Sequence, residues 1–168
     1  MAANVDVSRG FPPIARRDAR VLILGSLPSE RSIAAGEYYA HPRNAFWPIM
    51  RELVGAAGSY EARCQALLEA RIAVWDVLKH SVRPGSMDAD IRLDTSEVND
   101  FAGFISEHTA MERICFNGKK AEQMFQRFVE LDSRQIRPQS ITLPSTSPAY
   151  ASVAFAEKLE IWRRGILI

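Results

Sequence analysis

Val21-Leu22-Ile23-Leu24-Gly25-Ser26-Leu27-Pro28-Ser29 joins an unbroken apolar run to a turn of small, backbone-permissive residues. Similar short runs recur at Ile72-Ala73-Val74-Trp75, Ile114-Cys115-Phe116 and Ile141-Thr142-Leu143. They are continuous rather than alternating, as expected of strands covered on both faces. Between them lie stripes of helical period. One is Phe46, Ile49, Met50, Leu53 and Val54, and another is Tyr60, Cys64, Leu67 and Leu68. Val98, Phe101, Ala102 and Ile105 form a third; Ala121, Met124, Phe125 and Phe128 a fourth; Phe155, Leu159 and Trp162 a fifth. These stripes read as core. Strands alternating with helices predict an α/β fold, a three-layer αβα sandwich around a parallel four-stranded sheet. Residues 1–168 read as a single domain, with the motifs confined to about 20–162.

Composition sets the outer limits. At 47% hydrophobic and 24% charged over 168 residues, the chain is globular rather than disordered. Twenty-one Lys and Arg against 20 Asp and Glu leave a formal charge of +1, so any basic surface must come from local arrangement. Two cysteines, Cys64 and Cys115, exclude a four-cysteine zinc or iron–sulfur site and read as buried, reduced thiols. His41, His80 and His108 are too scattered for a metal site, and the expectation is no metal and no cofactor. No apolar run approaches the ~18–20 residues of a membrane span. Asp6, Arg9, Arg16, Arg17 and Asp18 interrupt any signal-peptide core. A cytoplasmic monomer is expected.

The residues just past each strand are more informative than the strands themselves. Gly25-Ser26-Leu27-Pro28-Ser29, Asp76, Asn117-Gly118 and Pro144-Ser145-Thr146-Ser147-Pro148 all converge on the carboxyl edge of the predicted sheet, where open parallel sheets bind ligands. The first of these lacks the Gly-Lys-Ser/Thr ending of a phosphate loop and the spacing of a hydrolase nucleophile elbow. Far more distinctive is Tyr38-Tyr39-Ala40-His41-Pro42-Arg43-Asn44-Ala45-Phe46-Trp47, set immediately before a helix that Asn44 is suited to cap.

Together these stretches resemble the hypoxanthine-DNA glycosylases, the deoxyinosine-excising branch of the uracil-DNA glycosylase superfamily. The resemblance continues through Val74-Trp75-Asp76-Val77-Leu78, Arg83-Pro84-Gly85-Ser86-Met87-Asp88, Phe116-Asn117-Gly118 and Leu143-Pro144-Ser145-Thr146-Ser147-Pro148-Ala149. It implies the sandwich fold already read, a DNA partner and removal of a deaminated base to leave an abasic site. Uracil-specific members carry Asp or Asn where Leu27 stands and often a His where Leu143 stands. Both departures are similar to the deoxyinosine branch, in which Asn44 is the implied catalytic residue. The resemblance also implies that Gly25, Ser26 and Leu27 line the base site.

The chemistry asks for a placed water, a reader of the base edge and a way to extract the base from the stack. Asn44 can accept a hydrogen bond from water and position it, without being a strong base. Asp76 either reads the base edge or caps the following turn, and Asn117 either reaches the pocket or holds loops together. Phe46 or Tyr39 is expected to stack on the flipped base. Ser145, Thr146 and Ser147 suit phosphate contacts, Tyr150 suits a wedge, and Arg43, Lys119 and Lys120 suit the DNA backbone. Rival readings are a uracil or mismatch-specific glycosylase, an inactive DNA-binding relative and a flavodoxin-like nucleotide binder.

Overall fold

The computed structural model describes residues 7–84, 88–132, 134 and 137–168. The chain runs β1 (Val7–Arg9), β2 (Val21–Gly25), α1 (Glu30–Ala35), α2 (Phe46–Val54), α3 (Tyr60–Glu69) and β3 (Ile72–Asp76). It continues through β4 (Leu78–Val82), β5 (Arg92–Val98), α4 (Phe101–Glu107), β6 (Arg113–Asn117), α5 (Lys119–Phe128), β7 (Gln139–Leu143) and α6 (Phe155–Ile166).

The four apolar runs pair as expected, in one parallel sheet of order β3-β2-β6-β7. Alternate strand residues face opposite sides, and each side is covered. Leu22, Leu24, Trp75 and Phe116 pack with Phe101 and Phe104 of α4 and Met124 and Phe125 of α5. Val21, Ile23, Val74 and Cys115 pack with Phe46, Ile49 and Met50 of α2, Leu67 of α3 and Trp162 of α6. The predicted αβα sandwich is therefore the observed one. Because the chain departs from β2 to one side and from β6 to the other, a crevice opens between their carboxyl ends. The register sets Gly25 opposite Asp76 there, and Asn117 opposite Leu143.

Three features differ from the expectations. A second, antiparallel sheet of order β1-β4-β5 stands beside the first. Its strands carry polar residues such as Lys79, His80 and Glu97, the last paired with the other two at 3.2 and 2.7 Å, so no apolar run announces them. Val98 ends β5 instead of starting a helical stripe, because Asp100 caps α4 by accepting the Gly103 N–H at 2.9 Å. Phe155 opens α6 on its solvent side, 45% exposed, and is not core. Gly85, Ser86 and Met87 of the quoted motif lie outside the described residues. Among the described residues, no helix is long and apolar enough to cross a membrane.

Both thiols are free, Cys115 fully buried and Cys64 half-buried. Burial pushes the Cys115 thiol up to about 12, and raises Cys64 as well. A thiol-specific reagent at mildly alkaline pH should therefore label Cys64 in the native protein and reach Cys115 only after denaturation. Equal labelling of both thiols in the native state would contradict this packing.

Candidate active site

The crevice is a cavity of about 1050 Å³. That is at the top of the roughly 300–1,000 Å³ range of ligand pockets, room for a nucleotide and not only its base. Its walls include Gly25, Ser26, Leu27, Tyr39, Arg43, Asn44, Asp76, Asn117, Lys119, Ser145, Thr146, Ser147 and Tyr150. Of the site residues expected from sequence, only Phe46 is missing from the walls. Asp76 is the one acid among the described lining residues, while Arg43, Lys119 and Lys120 bring positive charge. A carboxylate in such a wall suits an N–H donor, and the cations suit phosphates.

Asn44 precedes α2, and its place is set from three directions. Its backbone N–H donates to His41 O at 2.9 Å, and its side-chain carbonyl accepts the Phe46 N–H at 2.9 Å. The next residue, Ala45, donates its N–H to Thr146 O at 3.0 Å. Asn44 thus closes the turn into α2, whose N-cap is Ala45, and lines the cavity as well. The amide oxygen keeps a second lone pair for water, and the bond from Phe46 N–H fixes its rotamer.

Asp76 is 4% exposed at the end of β3, its backbone carbonyl accepting from Asn99 Nδ2 at 2.8 Å. A Cβ on Gly25 would fall 2.5 Å from Asp76 Oδ1 and 3.1 Å from the Tyr39 hydroxyl. The two side chains therefore meet over a glycine because only glycine leaves them room. Burial, and next the Asp76 charge, push the Tyr38 phenol well above its ordinary range. Tyr39 has φ 55°, unusual for a side chain of its size, and stacks on Phe46 with ring centroids 4.0 Å apart. Phe46 itself is 0% exposed. Its expected role as a base-stacking face is therefore corrected: it is the backing plate behind Tyr39, which holds the cavity surface.

Asn117 joins loops. Its Nδ2 donates to Thr146 Oγ1 and its Oδ1 accepts the Thr146 N–H, both at 2.9 Å. Thr146 is correspondingly buried, its hydroxyl turned to Asn117. The hydroxyl oxygen is thereby engaged by Asn117, although Thr146 still belongs to the cavity wall. Ser145 and Ser147 remain half-buried on the wall, and Tyr150 is 40% exposed. Gly118, at φ 95°, lets α5 start against Ser145, whose Cβ an added Cβ would approach to 3.1 Å.

Two residues received no role from the sequence, Arg83 although it lies in a quoted motif and Lys158 altogether. Arg83 is fully buried and donates from its guanidinium to the Pro28 carbonyl, holding the turn after β2 from behind. Lys158 of α6 is buried and donates to Ser145 O at 2.8 Å and Tyr150 O at 3.1 Å. Lys and Arg are seldom fully buried, so their type gave no hint. Among the described residues, no group of three or more His, Cys, Asp or Glu is arranged to hold a metal ion.

Residues 12–164 match the family described as the uracil DNA glycosylase superfamily. A hypoxanthine DNA glycosylase of Methanosarcina acetivorans is 39% identical over 118 residues, 68% of this chain and 73% of that protein. One from Methanosarcina barkeri is 36% identical over 116 residues, 67% of this chain and 72% of its own. The solution NMR structure of a candidate uracil DNA glycosylase from Methanosarcina acetivorans superposes with a TM-score of 0.74 at 32% identity, covering 95% of this chain and 98% of the other. The chain belongs to the uracil DNA glycosylase superfamily, and its partner is DNA.

The meeting of Asp76 and Tyr39 over Gly25 gives a test of this geometry. Gly25→Ala should leave the protein folded but displace one of the two side chains. Loss of base release by about a hundredfold is expected, the scale of an ångström-sized misplacement near a reacting centre. Unchanged single-turnover excision in the folded variant would show that this corner of the cavity does not hold the base.

Proposed function

We propose that this DNA glycosylase removes hypoxanthine from deoxyinosine in DNA, hydrolysing the N-glycosidic bond and leaving an abasic site. The observation that carries the reading is that Asn44 and Asp76 share the wall of one cavity large enough for a flipped nucleotide. The two Methanosarcina relatives, both hypoxanthine DNA glycosylases by name, support the choice of base. The reading takes the enzyme as a monomer acting in the cytoplasm.

In the proposed reaction the C1′–N9 bond breaks ahead of attack, and its electron pair leaves with the base. The sugar passes through an oxocarbenium-like state, as in other glycoside hydrolyses. Water held by the Asn44 carbonyl bonds to C1′, and the proton it loses balances the one the departing base takes up. Asn44 contributes orientation, since an amide is too weak a base to abstract the proton earlier. The Asp76 carboxylate accepts the N1–H of hypoxanthine. Adenine offers a bare acceptor at N1, and a buried carboxylate facing it costs about 1–3 kcal/mol or more. Tyr39 stacks on the base, while Arg43, Lys119, Ser145 and Ser147 meet the DNA backbone and Tyr150 fills the gap in the stack.

A panel of single- and double-stranded DNAs, each carrying one hypoxanthine, uracil, xanthine or thymine, tests the reading after alkaline cleavage of abasic products. Hypoxanthine should be released fastest. Faster release of uracil would replace the substrate, and no release of any base would point to a DNA-binding relative without turnover. Variants separate the two residues. Asn44→Ala should lower single-turnover excision about a hundredfold or more with DNA binding nearly kept. It should also cost about 1 kcal/mol of stability through the lost hydrogen bond from Phe46 N–H. Asn44→Asp keeps that acceptor, so its stability should stay near wild type. Asp76→Asn, whose amide can turn donor or acceptor to the base, should raise tolerance for adenine. A folded Asn44→Ala enzyme with near-normal turnover would require another holder for the water.

A further inference from the structure

The loop from Pro144 to Tyr150 carries Ser145, Ser147 and Tyr150, and both its ends are tied to one side chain behind it. Lys158, the fourth residue of α6, is 5% exposed. Its ammonium donates to Ser145 O at 2.8 Å and to Tyr150 O at 3.1 Å. It also lies 5.3 Å from the centre of the Tyr150 ring, within reach of a cation–π attraction. One turn further along, Trp162 Nε1 donates to Pro144 O at 2.9 Å and fixes the loop's start.

Nothing in α6 itself calls for a lysine at this place. A cation near a helix N-terminus opposes the macrodipole, and burial adds a desolvation cost. Burial indeed draws the Lys158 ammonium below the usual lysine range. The partners that offset these costs are the two loop carbonyls. Lys158 is absent from the residues that line the cavity, so its ammonium contacts the loop carbonyls and not a bound base.

We propose that Lys158 is a positioning residue for DNA binding, holding the Ser145–Tyr150 loop in its DNA-ready shape without touching DNA. This rests on the reading of that loop, with Ser145 and Ser147, as DNA-facing. A lysine that only stabilises the fold and a lysine that contacts phosphate make different predictions. The former leaves DNA affinity alone once the protein is folded, and the latter changes its salt dependence.

The experiment compares wild type, Lys158→Met, Tyr150→Ala and the double variant. The measurements are affinity for a duplex carrying a tetrahydrofuran abasic analogue, its salt dependence, and excision from deoxyinosine DNA at saturating enzyme. Lys158→Met, which keeps the aliphatic stem, should weaken duplex binding about tenfold or more. Excision at saturation should stay within about threefold, because Asn117 still holds Thr146, and through it Ala45 and Asn44, when Lys158 is replaced. The salt slope should be unchanged, whereas a direct phosphate contact would lower it by about one. Loss in the double variant should fall short of the product of the single losses, since both act through one loop. Wild-type affinity in folded Lys158→Met, or a slope lowered by about one, overturns the proposal. Normal affinity in Tyr150→Ala beside weakened Lys158→Met would remove Tyr150 from DNA and leave the loop-positioning role standing. Lys158→Gln, neutral and one atom shorter, should lose affinity in the same direction if Lys158→Met fails to fold. Wild-type affinity in that variant would overturn the proposal equally.

Discussion

Two reciprocal hydrogen bonds between Asn117 and Thr146 tie the end of β6 to the loop after β7, and the Thr146 carbonyl extends the tie to Ala45 at the start of α2. Three segments distant in sequence are thereby held at one point. Each bond contributes only about 0.5–1.5 kcal/mol net, but a buried group left unpaired would cost more. The Ala45 N–H is also one of the donors that a helix start leaves without an intrahelical partner. The same contact therefore completes α2 and fixes Asn44, one residue earlier, relative to the cavity. Whatever Asn44 does to a water depends on this anchoring.

The other side of the cavity obeys a steric constraint. Parallel pairing brings Gly25 beside Asp76, and the missing Cβ lets the Tyr39 hydroxyl close on the same spot. Tyr39 sits in the left-handed region, a strain of about 1–3 kcal/mol that the surroundings must offset. They do so locally. Phe46 stacks beneath the ring, Tyr38 N–H donates to the Tyr60 hydroxyl at 3.1 Å, and Trp47 Nε1 donates to Tyr38 O at 2.8 Å. The aromatic cluster that reads as one motif in sequence is thus divided between a buried core and a surface on the cavity wall.

That division marks where sequence reasoning stops. The four central strands were legible because burial on both faces demands unbroken apolar runs, and the cavity because each run ends in turn-forming or polar residues. Asn44 stood out by its place just before α2, and Asp76 by its place at the end of β3. The second sheet was not legible, since its solvated strands need no apolar run. Phe46 was misplaced because residue type tells what a side chain can touch, and only tertiary packing tells which way it turns. Lys158 was missed, and Arg83 was quoted without a role, because a buried cation is recognisable only by the carbonyls around it.

The most direct test of the proposed chemistry is a structure of the enzyme on DNA containing a 2′-fluorinated deoxyinosine that resists hydrolysis. Hypoxanthine should lie in the cavity, its N1 within about 3.2 Å of the Asp76 carboxylate. A water should stand between the Asn44 side-chain oxygen and C1′. A base seated elsewhere, or an Asn44 amide turned away from the sugar with no water in that place, would contradict the proposed roles of both residues.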